Sequence, residues 1–426
     1  MQNRTATLDW RAEAGIGHYL ACAALLLLVA FLPLSRAIEF ILMPESAATL
    51  AARIHIGVIE LLFIAGVLAD PRTRLPRLQA LPRWVPWIGG AWLLWGTLTA
   101  LLATYVGTAF IRQGEWLLHG AAAAALWAFL RAHPGWRAHL PRAMLLGFLV
   151  YAVGITFFLR QVQDPHDFPW LQAMLGFRNI RHFSAYAAMA LLAALQPLLA
   201  QKRPEPRELA GIAAVMTVPW AFLFWSGGRG AFLAVAVTLV GLTVLRLLPR
   251  PKLCWTVILA SAVAGLLVSI PFTPPNGSFG VFRLAGDLVA ADDLQSFSSS
   301  RLDMWRQALG MIGDHPLIGL GPDNYAHTPR DPFGAFEHPH NALLQAALDW
   351  GLPGMALAVS GGLGLTVLSA LRNVLEVRDA AATVGFAVAI MLLALSLVSS
   401  PMYYGFPLMT CLFALASALP LSPARR

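Results

Sequence analysis

Residues 380–424, AAATVGFAVAIMLLALSLVSSPMYYGFPLMTCLFALASALPLSPA, contain no charged side chain. As one helix rising ~1.5 Å per residue the run would exceed about 60 Å, roughly twice the hydrocarbon thickness of a bilayer. It must fold back, and Ser399-Ser400-Pro401 is the natural hairpin point. Two apolar helices joined by so short a turn point to a chain that crosses a membrane repeatedly.

The composition agrees. Of the 426 residues, 58% are hydrophobic and 12% charged, and the mean hydropathy is +0.65. Soluble domains carry about 25% charged residues, which excludes a water-soluble enzyme, and disorder needs low hydrophobicity. A transmembrane β-barrel would show alternating segments of roughly ten residues, whereas these apolar runs are continuous and longer. The fold class is therefore an all-α polytopic membrane protein.

Charge-poor runs place twelve spans near 14–35, 52–69, 84–104, 108–130, 143–159, 183–200, 209–226, 230–246, 253–271, 352–371, 380–399 and 402–420. The first run is too long for a signal-peptide core and is read as a retained helix. Nineteen of the thirty Lys and Arg residues fall on the side of the N-terminus. The connections near 105 and 400, on the other side, hold none. Excess cations mark the cytoplasmic side, so both termini are predicted there. The net charge of +8 is thus a topology signal, and no nucleic-acid motif accompanies it. Cys22, Cys254 and Cys411 all lie in apolar runs and read as buried fillers, with neither a disulfide nor a metal site expected from them.

Three regions follow: helices 1–9 in residues 1–271, a large outer-face loop in 272–351 (periplasmic by the resemblance given below), and helices 10–12 in 352–426. A loop of that length in a compact protein usually carries function. Within it Ser298-Ser299-Ser300 can cap a helix, and Leu302, Trp305, Leu309 and Ile312 recur at helical spacing. His315-Pro316 and Gly319-Leu320-Gly321 would end that helix.

The outer cations are all arginines, whose planar forks match phosphate oxygens. Arg178 and Arg181 lie in Phe177-Arg-Asn-Ile-Arg-His-Phe183. Arg229 sits in Ser226-Gly-Gly-Arg-Gly230 at the start of a span, where free N–H groups favour an anion. Arg301 opens the loop helix. The bland alternative for each is anchorage to lipid headgroups. The second feature is Glu337-His338-Pro339-His340-Asn341, two histidines at a membrane mouth that can serve as a general base pair. Nearby arginines would keep such a base neutral. A zinc site from His315, His327, His338 and His340 competes, but the H-x-H spacing lacks a firm third ligand. Ordinary interfacial histidines are the remaining alternative. Ala342 to Leu348 then reads as a short amphipathic helix, with Gly351 as its stop and Pro353 starting the next span. Within the bilayer, Glu60, Arg112 and Glu115 are costly ionisable groups, read as a structural ion-pair network with a proton or substrate path as the alternative. Trp84, Trp87, Trp170, Trp225, Tyr403 and Tyr404 are read as interfacial belts.

These residues carry a resemblance. His340-Asn341, nine residues, then Gly351-Leu-Pro-Gly354 follows Arg301-x-x-x-Trp305-x-x-Ala308, His315-Pro-Leu-Ile-Gly-Leu-Gly321 and Ser226-x-x-Arg229-Gly230. Together they resemble the O-antigen ligase family of lipopolysaccharide ligases, whose relatives include O-antigen polymerases and protein O-oligosaccharyltransferases. The resemblance implies an inverting, metal-independent membrane glycosyltransferase with a GT-C-like architecture and no cofactor. Its donor would be a glycan on undecaprenyl diphosphate, and its acceptor a sugar hydroxyl of lipid A–core. It places the base on His340, with His338 competing, and the diphosphate-binding arginines on Arg229 and Arg301, with Arg178 or Arg181 as a third. It implies an active site on the periplasmic face of the bacterial inner membrane. The motif does not separate ligase from polymerase or protein transferase. A twelve-span secondary transporter is the reading from another class, and it predicts dependence on Glu60 or Arg112 and indifference to His340.

Overall fold

The computed structural model describes residues 15–34, 45–73, 84–161, 170, 174–177, 180–200, 204–273, 279–282, 301–329 and 336–421, with side chains of 45–53 excepted. Among these residues the secondary structure is helical, apart from one isolated bridge between Met174 and Phe177. In chain order the helices are α1 Ile16–Leu26, α2 Glu45–Ala69, α3 Trp84–Leu101, α4 Val106–Ala132, α5 His139–Gln161 and α6 Ile180–Ala193. They continue with α7 Pro206–Ser226, α8 Arg229–Val244, α9 Pro251–Ser269, α10 Arg301–Asp314, α11 Ala342–Met355, α12 Leu365–Val377, α13 Ala380–Ser396 and α14 Gly405–Ala418. Helices cover every apolar segment named from the sequence. Among the described residues six helical stretches, including Ile16–Leu34, Pro251–Phe272 and Ala342–Val377, are long and apolar enough to cross a membrane. Four more apolar helices, among them Ala380–Ser396 and Gly405–Ala418, are shorter. The charge-free run folds back as expected, through a 3-10 turn at Pro401–Tyr403.

Hydrogen bonds between connections sort the helix ends into two groups. At one end Arg137 donates to the Leu419 carbonyl, Gln196 to Ala138 O, Arg378 to Arg246 O and Asn373 to Ala418 O. At the other end the Tyr105 N–H donates to Asn324 of the long loop and Trp225 Nε1 to Phe272 O. The two ends of α4 belong one to each group, so helices consecutive in the chain alternate in direction, α7 and α9 pack parallel to each other, and the loop caps one end.

The largest core cluster is built around α6 and α13. Both helices are rich in Ala and buried almost all round. Small side chains let helix backbones approach closely, and in a membrane that packing replaces the missing hydrophobic drive. By contrast, large apolar side chains on α3, α5, α8 and α9 point outward, such as Leu94, Val153, Val244 and Leu267. That inversion fits a bundle facing lipid.

Buried ionisable groups are paired. Arg112 Nη1 lies 2.8 Å from Glu115 Oε2, which agrees with the ion-pair reading. Glu60 instead bonds His119 Nδ1 at 2.7 Å. A sequence reading needs correction here. Trp170 and Trp225 are not an interfacial belt: they are 1% and 3% exposed and pack edge to face at 5.1 Å, both against Phe279. The expected loop helix is present as α10, with Leu302 and Leu309 exposed. Its buried face is Met304, Ala308 and Ile312, because Ala347, Leu348 and Tyr325 pack on that side.

Candidate functional site

The histidine segment is held from three directions. Asn341 caps α11, its side-chain oxygen accepting from the N–H groups of Leu343 and Leu344 at 2.9 and 3.2 Å. Its Nδ2 donates to Leu397 O at 3.0 Å, near the α13–α14 turn. Trp305 of α10 donates from Nε1 to Pro339 O at 2.9 Å. Between these anchors His340 adopts φ +54°, a left-handed conformation that costs a non-glycine residue energy and persists where the surroundings over-determine it.

The glycines of the motif have a geometric reason. Gly351 has φ +66° and ψ 178°, so α11 kinks there and continues rather than stopping. A Cβ at Gly351 would collide with the Leu317 carbonyl. The segment His315–Gly321 runs against this kink, with Leu352 N donating to Pro316 O at 2.8 Å and Leu320 N to Leu348 O at 2.6 Å. The two motif halves thus lock onto each other, and the rigid element that carries His340 results.

The charges of Arg301 and Arg181 act on His340. Its pKa is pushed down to about 4, first by burial and then by the Arg301 and Arg181 guanidiniums. The imidazole is therefore neutral well below pH 7. Arg301 is half-buried at the start of α10, and Arg181 is exposed in the first turn of α6. Arg229 starts α8 directly after Gly228, and Gly227 closes α7 at φ +63°. This turn sits on α6: Ser184 donates to Arg181 O at 2.5 Å, and a Cβ at Gly228 would strike the same Ser184 side chain. Gly230 in turn packs near Leu395 and Val398, beside the Asn341 anchor. Arg178 lies outside the described residues.

His338 differs from His340. It is 3% exposed, and its Nε2 bonds the Tyr404 hydroxyl at 3.0 Å. The two imidazoles stand edge to face at 4.4 Å. His315 and His327 are exposed, and His327 packs on Tyr105 instead. No cluster of three or more metal-ligating residues includes these loop histidines among the described residues.

Sequence reasoning missed several neighbours. His182 stacks against Tyr404 at 4.3 Å. Tyr403 lies under the Arg112 guanidinium at 4.2 Å and donates to Asp323 Oδ1 at 2.6 Å. Asp349 accepts from Gln345 at 2.7 Å and from Asp323 N at 3.3 Å. Glycines flanking the loop end and the Tyr403-Tyr404 pair were the available signals, but the tyrosines read equally well as belt residues.

Beside this network opens a cavity of about 1440 Å³ between α3, α4, α11–α12, α13 and α14. Its walls are mainly apolar, with Ile88, Trp116, Leu363 and Val367 among them. Its polar groups include Arg112, Gln345, Asp349 and Tyr403, and it reaches Ala342 and Leu343, directly after the histidine segment.

An apolar helical bundle of this kind fits a polytopic membrane protein. Residues 212–359 match the family model described as O-antigen ligase, and this supports membership of the O-antigen ligase/polymerase superfamily of membrane glycosyltransferase-like enzymes. The match includes Arg229, Arg301, His338, His340, Gly351 and Gly354. No curated protein matches the chain.

Proposed function

We propose that the protein is an O-antigen ligase, transferring a glycan from undecaprenyl diphosphate to a sugar hydroxyl of lipid A–core on the periplasmic face of the inner membrane. The observation that carries this reading is the neutral, half-buried His340 under the positive charge of Arg301 and Arg181. His340 takes the proton as the acceptor oxygen attacks the anomeric carbon. The bond from that carbon to the diphosphate oxygen breaks on the opposite face, and the configuration inverts. The departing diphosphate gains negative charge, which Arg229, Arg301 and Arg181 stabilise as preorganised donors. His338, bonded to Tyr404, positions His340 rather than acting as the base. A general base contributes roughly 10²–10⁴-fold, and loss of one preorganised donor costs roughly 10²–10³-fold.

The apolar cavity beside α11 suits a lipid chain, and its polar groups lie near the histidine segment. Twelve spans with both termini in the cytoplasm would put this mouth outside the cell. The test is lipopolysaccharide gel profiling of a deletion strain complemented with wild type, His340→Ala, His338→Ala or Arg229→Ala at matched expression. A ligase leaves bare core on deletion, with polymer retained on undecaprenyl diphosphate and no rescue by His340→Ala. Core bearing a single repeat identifies a polymerase instead. An unchanged ladder sinks the ligase reading and brings forward protein glycosylation or transport.

A further inference from the structure

The opposite end of the bundle holds a second cluster of ionisable side chains with no part in the chemistry above. His18 lies in the first turn of α1, Asp70 directly follows α2, and His133 directly follows α4. The Asp70 carboxylate is the centre. Its Oδ1 accepts from the Arg72 N–H at 2.9 Å, which turns Oδ2 toward both imidazoles. Oδ2 stands 2.7 Å from His133 Nε2 and 3.4 Å from His18 Nδ1. The two rings lie side by side, 4.5 Å between centroids. Asp70 is 2% exposed.

We propose that His18, Asp70 and His133 bind one divalent transition-metal ion, with zinc the cation best suited to the set, and so tie together the ends of α1, α2 and α4. One candidate ligand atom from each residue lies within 4.8 Å of the others. Two imidazoles and a carboxylate are a donor set zinc takes, with a fourth position for water. Ligands ~2.0–2.2 Å from a tetrahedral zinc stand about 3.3–3.6 Å apart, so the Asp70–His133 pair, at 2.7 Å, opens by less than about 1 Å to admit an ion while His18 Nδ1, at 3.4 Å from Asp70, already stands at ligand spacing.

Features behind the ligands make the arrangement specific. His18 Nε2 lies 3.5 Å from Cys22 Sγ, one turn along α1. A proton on Nε2 directed to that sulfur leaves the Nδ1 lone pair facing Asp70. Metal-bound histidines commonly use the second ring nitrogen in this way. Phe129 packs on both rings. Thr73 Oγ1 donates to Asp70 O at 2.9 Å. Helices α1 and α2 are in backbone contact: a Cβ on Gly66 would overlap Ala21 N, and one on Gly17 would overlap Ala69. The positions of His18 and Asp70 are thereby fixed by packing before any ion arrives.

The site is remote from His340. Tyr105, at the start of α4, meets the long loop, whereas His133 follows its other end, about 40 Å away for 27 residues of helix. A metal here stabilises the bundle and stays outside the transfer chemistry, so the inference stands whether or not the ligase reading does.

The test uses full-length protein in detergent, with any affinity tag removed, stripped by a chelator and titrated with zinc chloride. Wild type is expected to bind one zinc per chain, by calorimetry and by elemental analysis after desalting. His133→Asn and His18→Gln are expected to weaken that binding at least thirtyfold, and zinc is expected to raise Tm by several degrees in wild type only. Cys22→Ala, behind the ligands, is expected to weaken binding roughly tenfold. His18→Gln and Cys22→Ala keep the test valid if removal of the buried Asp70 charge prevents folding. Equal zinc content in wild type and the histidine variants, or no retained zinc in wild type, overturns the proposal.

Discussion

The state of His340 gives a prediction with a definite magnitude. A free imidazole titrates near 6.5, and in the folded protein His340 is pushed down to about 4. The difference corresponds to about 3 kcal/mol between the two protonation states. If neutral His340 is the base, the acid limb of kcat/KM falls near pH 4. At pH 5.5 roughly 95% of the protein would then hold a competent base, against about 10% for an unperturbed histidine. Burial is the largest cause and the arginines the smaller ones, so Arg301→Gln should raise the limb by less than about 1 unit. The same substitution should lower the plateau, because a diphosphate donor is lost. The assay is transfer rate in detergent from a lipid-linked glycan donor to the lipid A–core acceptor, between pH 4 and 8. The sign for stability is also fixed. The folded state binds fewer protons than the unfolded state between pH 6.5 and about 4, so stability falls as pH drops through that window and is unaffected above it. A wild-type limb at 6.5, or one that does not move in either Arg301→Gln or Arg181→Gln, refutes the reasoning.

Asn341→Ala removes the cap of α11 and the tether to Leu397; it should cost about 1 kcal/mol of stability and, by freeing His340, reduce transfer more than it reduces Tm. Gly351→Ala sets a side chain at positive φ against the Leu317 carbonyl; thermal unfolding should show a loss of about 2 kcal/mol or more, with Leu352→Ala, on an exposed neighbour, as the mild control. Tyr404→Phe removes the hydroxyl partner of His338; kcat should drop less than tenfold while KM holds, as fits a positioning role. Glu60→Gln breaks the buried pair with His119; expression and Tm should fall while the pH limb of transfer stays in place, whereas a transport mechanism would lose activity outright.

Much of the helix layout was legible because lipid imposes a simple rule. A charge-free run such as 380–424 has few alternatives to paired helices, and arginine-bearing connections punctuate the rest. Buried placement was less legible. Trp170 and Trp225 sit where tryptophans commonly meet lipid headgroups, and only the tertiary contact with Phe279 pulls them inward. On α10 helical spacing pointed to the helix but not to its buried face, since Leu302 and Leu309 share a periodicity with Met304, Ala308 and Ile312. At the site, Arg229, Arg301, His338 and His340 were visible as unusual residues at helix starts and loop ends. The charges that act on His340 were not, because Arg181 reaches it across more than 150 residues of chain and the segment depends on turns such as Gly351. The His18–Asp70–His133 cluster left no signal at all in spacing, since each member ends or begins a different helix.

The most direct test of the central claim is reconstitution of transfer with purified components: wild-type protein or His340→Ala, undecaprenyl-diphosphate-linked glycan and lipid A–core. The account predicts glycan attached to core with wild type, and a loss of roughly 10²-fold or more with a His340→Ala protein of unchanged Tm. Full transfer by His340→Ala, or no transfer to core by a folded wild type that accepts the same donor with another acceptor, would contradict it.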